Sequence, residues 1–576
     1  MHQRRRNRCH SDDIPVTSRG PGYRAPVETQ QIRRADAAVY HGARDYEQLE
    51  PAATFVAPPH PWGALVTACL ALFLIAVNTT AINTALSAIA DDLSISSSTL
   101  AWALNAYLLA VAAFVVLGGK LGDVLGRQRI FVVGILVYAF AAVVVATSAS
   151  AAQLIGGRGL QGLGAAILMP ATMAILHDAF PKERQGLVLG IWGAVGGVAF
   201  AVGPLIGGFL TDALGWEWVW WSNVPVAIVA LLLAARMLRG LPVGEPGVHF
   251  DIPGLVLLVV GLFSMILAVQ QGGRWGWTAP AILALLAVAA ITLTAFVLVE
   301  LRVTSPLMHL RLLRDPMFTA GNIGTFADSI GLIGILYFFN LYAQSSVLLD
   351  YSALLAGAAL LPFGLGVFAA SLVSGRLADR IGARIPVAAG LLLIAVGCSF
   401  LYAFTDVTTT FGGLWWPTLL AGLGVGMAFS TPSASALQAV PPEEAGEASG
   451  TLNIFRYLGA ALVVAVGSLA FSGVGIAELN RSLDAAGVDR PEEEQLDQVL
   501  TGSPSAIASE AQQLQGEQRQ AFISGAQRGT VDGFDASMLV IAVSSVGGLV
   551  VWLVLMRPRG RRVSRPSPSS RPSAPS

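Results

Sequence analysis

The chain is expected to be an all-α membrane protein with fourteen transmembrane helices, and three observations carry that expectation. Charged residues make up only 12% of the 576 positions, about half the share of a soluble domain, while apolar and aromatic residues reach 54%. Mean hydropathy is +0.64. Apolar stretches of about 20 residues, the length that crosses a hydrocarbon core, recur from Ala64 onward. So little charge cannot cover a water-soluble surface of this size. That excludes a soluble enzyme, a nucleic-acid binder and a disordered scaffold. The formal net charge of −1 conceals polar residues gathered in two tails and one long loop. Cys9, Cys69 and Cys398 lie far apart and suggest neither a disulfide framework nor a metal site, so no cofactor is expected.

Residues 1–60 are Arg-rich and Pro-punctuated without apolar periodicity, which reads as a disordered tail. No apolar run follows the basic start, so no signal peptide is expected. Helices are expected at 64–83, 99–118, 130–148, 153–175, 186–210, 218–237, 253–270, 279–299, 317–343, 352–373, 384–404, 414–439, 451–472 and 535–556. The segment 473–534 is expected to be an external loop, a solvated insertion, with a short external helix or hairpin through the helix-permissive stretch Glu510–Gln520 as the alternative, and 557–576 a second disordered tail. An even number of spans puts both termini on one side. Basic residues mark that side as cytoplasmic: Arg4, Arg5 and Arg6 in the first tail, Arg127/Arg129, Lys182/Arg184, Arg311/Arg314 and Arg376/Arg380/Arg384 in alternate loops. The opposite loops carry acids, including Asp91, Asp92, Asp212, Asp350 and Asp406, with an aromatic belt of Trp216, Trp218, Trp275, Trp277, Trp415 and Trp416.

An internal repeat divides the chain further. Gly119-Lys-Leu-Gly-Asp123-Val-Leu-Gly126-Arg127 lies between the second and third helices. Gly375-Arg-Leu-Ala-Asp379-Arg-Ile-Gly382-Ala-Arg384 lies between the tenth and eleventh. A second echo pairs Pro181-Lys-Glu-Arg-Gln-Gly186 with Pro442-Glu-Glu-Ala-Gly446. The offsets, about 256 and 261 residues, are accounted for by two six-helix bundles, 61–240 and 301–556, separated by a linker pair of helices at 241–300. Duplicated halves favour a transporter that rocks about a central site. The alternative is that duplication and its glycines serve packing alone.

These loops resemble the signature loop of the major facilitator superfamily. Arg158-Gly-Leu-Gln161-Gly-Leu-Gly164 is similar to that family's helix-4 arginine motif, and Gly203-Pro204-Leu-Ile-Gly207-Gly208 to the motif its antiporters share. Trp102-Ala-Leu-Asn-Ala-Tyr107, Asn223-Val-Pro225 and Asn453-Ile-Phe-Arg456-Tyr-Leu-Gly459 resemble the fourteen-helix drug:H⁺ antiporter branch of the EmrB/QacA type. The resemblance spans roughly residues 62–556. It implies the major-facilitator fold, a conformational latch at Asp123, Gly126, Arg127, Asp379, Gly382 and Arg384, and a helper role for Arg158 in proton exchange. It also implies that the glycine-proline motif seals the joint between halves.

Two departures matter. Asn78 stands where the family usually has Asp, and an amide cannot titrate. Glu217 stands where Arg is usual. Asp328, near the centre of the ninth helix and about 16 Å deep at 1.5 Å per residue, is the acid best placed to carry a proton instead. An ionisable group at that depth is a functional candidate by default; the alternative is a protonated Asp acting as packing glue. Arg158 and Arg456 complete the proton-coupling candidates, the alternative for each being a static interhelical bond. Asn78, Asn83, Trp102, Tyr107, Gln161, Asn340 and Asn453 are candidates to line the substrate cavity.

The function expected is secondary active export of amphipathic or cationic organic compounds, a small-molecule substrate exchanged for protons in the bacterial cytoplasmic membrane. Alternatives are an exporter of an endogenous lipid, peptide or secondary metabolite, or a sensor or assembly partner that keeps the fold without transport. No phosphate-cradling loop points to ATP drive. The lipid bilayer is a partner, nucleic acid is not, a monomer is expected, and 473–534 is a candidate surface for a periplasmic partner.

Overall fold

The structure, a computed structural model, describes residues 59–95, 97–241, 251–303, 306–441, 444–500 and 504–557. Nearly all of both expected tails, and the side chain of Asn83, lie outside the described residues. Among those described, fourteen helices are long and apolar enough to cross a membrane. They are α1 (Pro61–Leu93), α2 (Ser97–Leu125), α3 (Arg127–Ala146), α4 (Ala151–Ala179), α5 (Lys182–Leu214), α6 (Trp218–Met237), α7 (Ile252–Trp275), α8 (Pro280–Glu300), α9 (Pro316–Gln344), α10 (Leu354–Ile381), α11 (Arg384–Phe404), α12 (Phe411–Gln438), α13 (Ala445–Ala485) and α14 (Glu517–Leu555). Helices satisfy their own backbone groups, which lipid cannot do for them. Short polar caps start several: Ser150 accepts from Gln153 N at 3.3 Å, Asp251 from Gly254 N at 2.9 Å, and Asp315 from Met317 N at 2.8 Å.

The largest correction concerns 473–534, which is helical for most of its described length and not a loop. α13 runs on to Ala485, and α14 begins at Glu517. Two short helices, Glu493–Leu500 and Pro504–Gln513, lie between them. Gly475 and Gly529 face each other so closely that neither has room for a side chain, and Leu500 packs against both. Leu496, Val499 and Leu500 are buried, one apolar face of the short helix Glu493–Leu500. A fall in hydropathy marks the end of a lipid-facing run, not the end of a hydrogen-bonded helix.

Within each half the packing repeats. α2 packs on α4 and α1 on α5; correspondingly α10 packs on α12 and α9 on α13. The halves meet through α5 on α10 and α2 on α13, which are equivalent pairs if each half is a copy of the other. α7 touches both α2 and α13, while α8 packs on α7 and leaves most of its surface open. α4 is buried over nearly its whole middle, from Gly157 to Ala179. The joining turns between α2 and α3 and between α10 and α11 use Gly126 (φ 92°, ψ 134°) and Gly382 (φ 84°, ψ 162°), backbone conformations that a side chain resists.

Candidate functional site

Arg158 lies inside α4 with 1% of its surface exposed. Its Nη1 donates to Asn78 Oδ1 at 2.8 Å on α1 and to Gln161 Oε1 at 2.7 Å one turn along its own helix. The guanidinium stands over the Tyr107 ring of α2, 4.4 Å from its centre. Gly162 and Gly164 bring the backbones of α2 and α3 against α4, and side chains of α1, α2 and α4 converge on this cation. The Tyr107 hydroxyl reaches Thr79 Oγ1 at 3.4 Å. Asn78, Tyr107, Arg158 and Gln161 are thus one cluster, whose acceptors are all neutral.

In the other half, Asp328 of α9 is fully buried, and neither carboxyl oxygen has a hydrogen-bond partner. Arg456 of α13 is within electrostatic range of it. That guanidinium is engaged elsewhere: Nη2 donates to the Phe429 carbonyl at 3.3 Å, and the group stands 4.5 Å over the Phe429 ring. Ser329 Oγ donates to the Arg456 carbonyl at 2.7 Å, pinning α9 to α13 beside the two charges. Asn453, one turn before Arg456, points its amide at Met173 Sδ of α4, 3.8 Å away.

The two signature loops bond across the halves, each to the echo carried by the other. Asp123 accepts from Gly446 N at 3.0 Å and Glu447 N at 2.8 Å, at the start of α13. Asp379 accepts from Gly186 N at 2.9 Å and Leu187 N at 2.8 Å, in the first turns of α5. At the start of α13 the carboxylate meets free amides of a helix N-terminus and is doubly favoured, by hydrogen bonding and by the dipole, whereas Gly186 and Leu187 are the fifth and sixth residues of α5, one turn in. Gly119 and Gly375 sit against the backbones of Gly446 and Gly186, which makes this approach possible.

The two crossings differ in charge. Around Asp123, Arg127 bridges to Asp123 at 3.2 Å, pairs with Asp178 and donates to the Ala174 carbonyl at 2.8 Å. Glu447, 1% exposed, receives Lys120 Nζ at 3.2 Å and His309 Nδ1 at 3.0 Å, together with the His309 backbone N–H. Bonding to Glu447 holds the His309 imidazole above its usual 6.5. Nearby, Glu300 at the end of α8 accepts from Leu307 N at 3.1 Å and Met308 N at 3.3 Å. Around Asp379 no such shell exists among the described residues. Arg384 does not pair with it; its carbonyl instead accepts from Trp552 Nε1 at 3.0 Å, and its Nε has no partner.

Other expected residues stand apart. Trp102 packs on Trp275 of α7, ring centres 6.3 Å apart, and Asn340 is half-buried near the far end of α9. Gly203 and Gly207 seat α5 on Thr80 and Ala81 of α1, whereas Pro204 and Gly208 meet Gly357 and Leu354 of α10, so this motif touches both halves. Sequence reasoning missed Lys120, Asp178, His309, Phe429 and Glu447 as site residues. Glu447 directly follows the quoted echo, and its pairing was findable only by supposing that the two repeats bond crosswise. Among the described residues no group of three His, Cys, Asp or Glu is placed to hold a metal.

Residues 68–464 match the sequence profile of the Major Facilitator Superfamily. The chain is 35% identical over 436 residues to the puromycin resistance protein pur8 of Streptomyces alboniger, covering 75% of this chain and 86% of that one. It is 35% identical over 408 residues to the cephamycin export protein CmcT of Amycolatopsis lactamdurans, covering 70% and 83%. The crystal structure of the human organic anion transporter MFSD10 (TETRAN) superposes with a TM-score of 0.53 at 19% identity, over 86% of this chain and all of that one, a likeness of fold alone.

Proposed function

The chain belongs to the major facilitator superfamily of membrane transporters, and on that premise we propose that it exports amphipathic organic compounds, antibiotics among them, in exchange for protons. The crossed carboxylate–amide bonds on the basic face carry the reading. They tie the halves together on one side only, so they must break for the halves to rock and open there. Asp123, Gly126, Arg127, Asp379 and Gly382 act as a latch for the state closed on that face. Arg384 is left out of it, since it does not reach Asp379.

The relatives named for puromycin resistance and cephamycin export support drug efflux. Each is named for one antibiotic, which favours, as a second reading, a dedicated exporter of a single secondary metabolite. Arg158 narrows the cargo. Its charge meets only neutral acceptors, so a substrate approaching this cluster is favoured when neutral, zwitterionic or anionic and repelled when dicationic. Asp328 carries the exchanged proton, because Asn78 cannot titrate. The positive-inside distribution supports cytoplasmic termini in a bacterial cytoplasmic membrane. The chain works as a monomer, and the α13–α14 extension offers a periplasmic surface to a partner.

Purified protein in liposomes, with an internal pH dye and a panel including puromycin, cephamycin and the dication propidium, tests this. Proton movement on adding puromycin or cephamycin, little with propidium, and its loss in Asp328→Asn at normal yield are expected. Undiminished proton-coupled efflux in Asp328→Asn would sink the proton assignment. A response to many unrelated drugs would decide against the dedicated exporter.

A further inference from the structure

Arg456 sits between two competing partners. Its current one is Phe429, through the ring face at 4.5 Å and the carbonyl at 3.3 Å. The position of Phe429 strengthens the hold. α12 breaks at Ser430, before Pro432, so Phe429 ends a helical segment whose last carbonyls lack helical partners. The negative end of that segment's dipole favours a cation.

The other partner is Asp328. Of the elements packed on α9, among them α11, α12, α13 and α14, only α13 brings a charged group to face Asp328 among the described residues, and that group is Arg456. Arg456 itself also faces the Tyr457 hydroxyl. Both oxygens of Asp328 are unpartnered, as are Nε and Nη1 of Arg456. A buried, unpaired carboxylate costs several kcal/mol, so this arrangement suits the protonated acid. Neither Nε nor Nη1 bonds Asp328 in this state, so once the proton leaves, the guanidinium has to shift toward the carboxylate, and that shift competes with its seat over the Phe429 ring.

Phe429 also faces the opposite half. Its ring stacks on Trp192 of α5, centres 6.0 Å apart with 30° between planes, and both side chains are buried. Gly193 and Gly196 form the recess that receives it. A side chain that holds the cation thus also fills the seam between halves.

We propose that Phe429 is a positioning residue for proton coupling: it holds Arg456 away from Asp328 while the acid is protonated, and yields it when the proton leaves, loosening the Phe429–Trp192 contact between the halves. The inference rests on Asp328 being the proton carrier.

Infrared difference spectra of the purified full-length protein across pH read the protonated carboxyl directly, without any substrate. The band lost in Asp328→Asn reports this acid. In Phe429→Leu the freed guanidinium pairs with the carboxylate, so the midpoint of that band is expected about one pH unit lower. Phe429→Tyr, which keeps the ring, is expected to leave it in place. A fixed midpoint in Phe429→Leu overturns the positioning role, since a merely structural ring would change yield or rate alone. Absence of any Asp328-dependent band in the unsubstituted protein overturns the proton-carrier reading first. Trp192 emission, taken as the difference from Trp192→Phe, needs no Phe429 variant. It is expected to titrate with the same midpoint and to stay flat in Asp328→Asn; flat emission in the unsubstituted protein also overturns the proposal.

Discussion

Glu447 shows what a single residue decides here. It collects Lys120 from one half and His309 from the connector after the linker helices, while its own N–H holds Asp123. The imidazole, raised by that carboxylate, has an ordinary value of 6.5. A raised value in the fold means stability that is fully present below 6.5 and is lost as pH rises through the folded value. Thermal stability in detergent should therefore fall over that upper window, and His309→Ala should flatten the dependence. Unchanged pH dependence in that variant would remove His309 from the clasp. The charged residues themselves were legible as costly placements, because burial makes any intramembrane charge conspicuous. Their partners were not: nothing along the chain brings Arg158 to Asn78 or Arg456 to Phe429.

At the scale of elements, hydropathy located the spans well and their ends poorly. α5, α13 and α14 all outrun their apolar cores, since backbone bonding continues wherever packing supports it. The turns were clearer. Gly126 and Gly382 occupy matching places in the repeat and share a backbone conformation nearly closed to other residues. Alanine at either should cost about 1–3 kcal/mol, read as a lower melting midpoint. The loss should be larger functionally at Gly126, whose turn sets Arg127 beside Asp123 and Asp178. Equal effects on transport at the two sites would show that the ion pairs around Asp123 add nothing.

For the molecule as a whole, the two crossings act on one equilibrium. Each Asp makes two charge-assisted bonds to amides, and such bonds contribute about 1.5–3 kcal/mol apiece. Asp123→Asn and Asp379→Asn should each shift the protein toward opening on the basic face, and together their free energies should add, since they share no partners. A cysteine placed at buried Ser449 on α13, whose hydroxyl donates to the Pro170 carbonyl of the opposite half at 3.1 Å, in a background without other cysteines, measures the opening by its alkylation rate. The expected order is parent, either single variant, then the double; no increase in the singles would mean that these bonds do not hold the face closed.

The sequence by itself determined the membrane class, fourteen spans, the duplication and most of the costly charges, because those follow from local composition and from spacing along the chain. Tertiary structure alone decided which repeat bonds to which, that 473–534 extends two helices, and that Arg456 rests on Phe429 with Asp328 unpaired. The physical reason is range. Helix formation and lipid burial are read from neighbouring residues, whereas a carboxylate's partner is set by which two distant backbones come close enough to meet it.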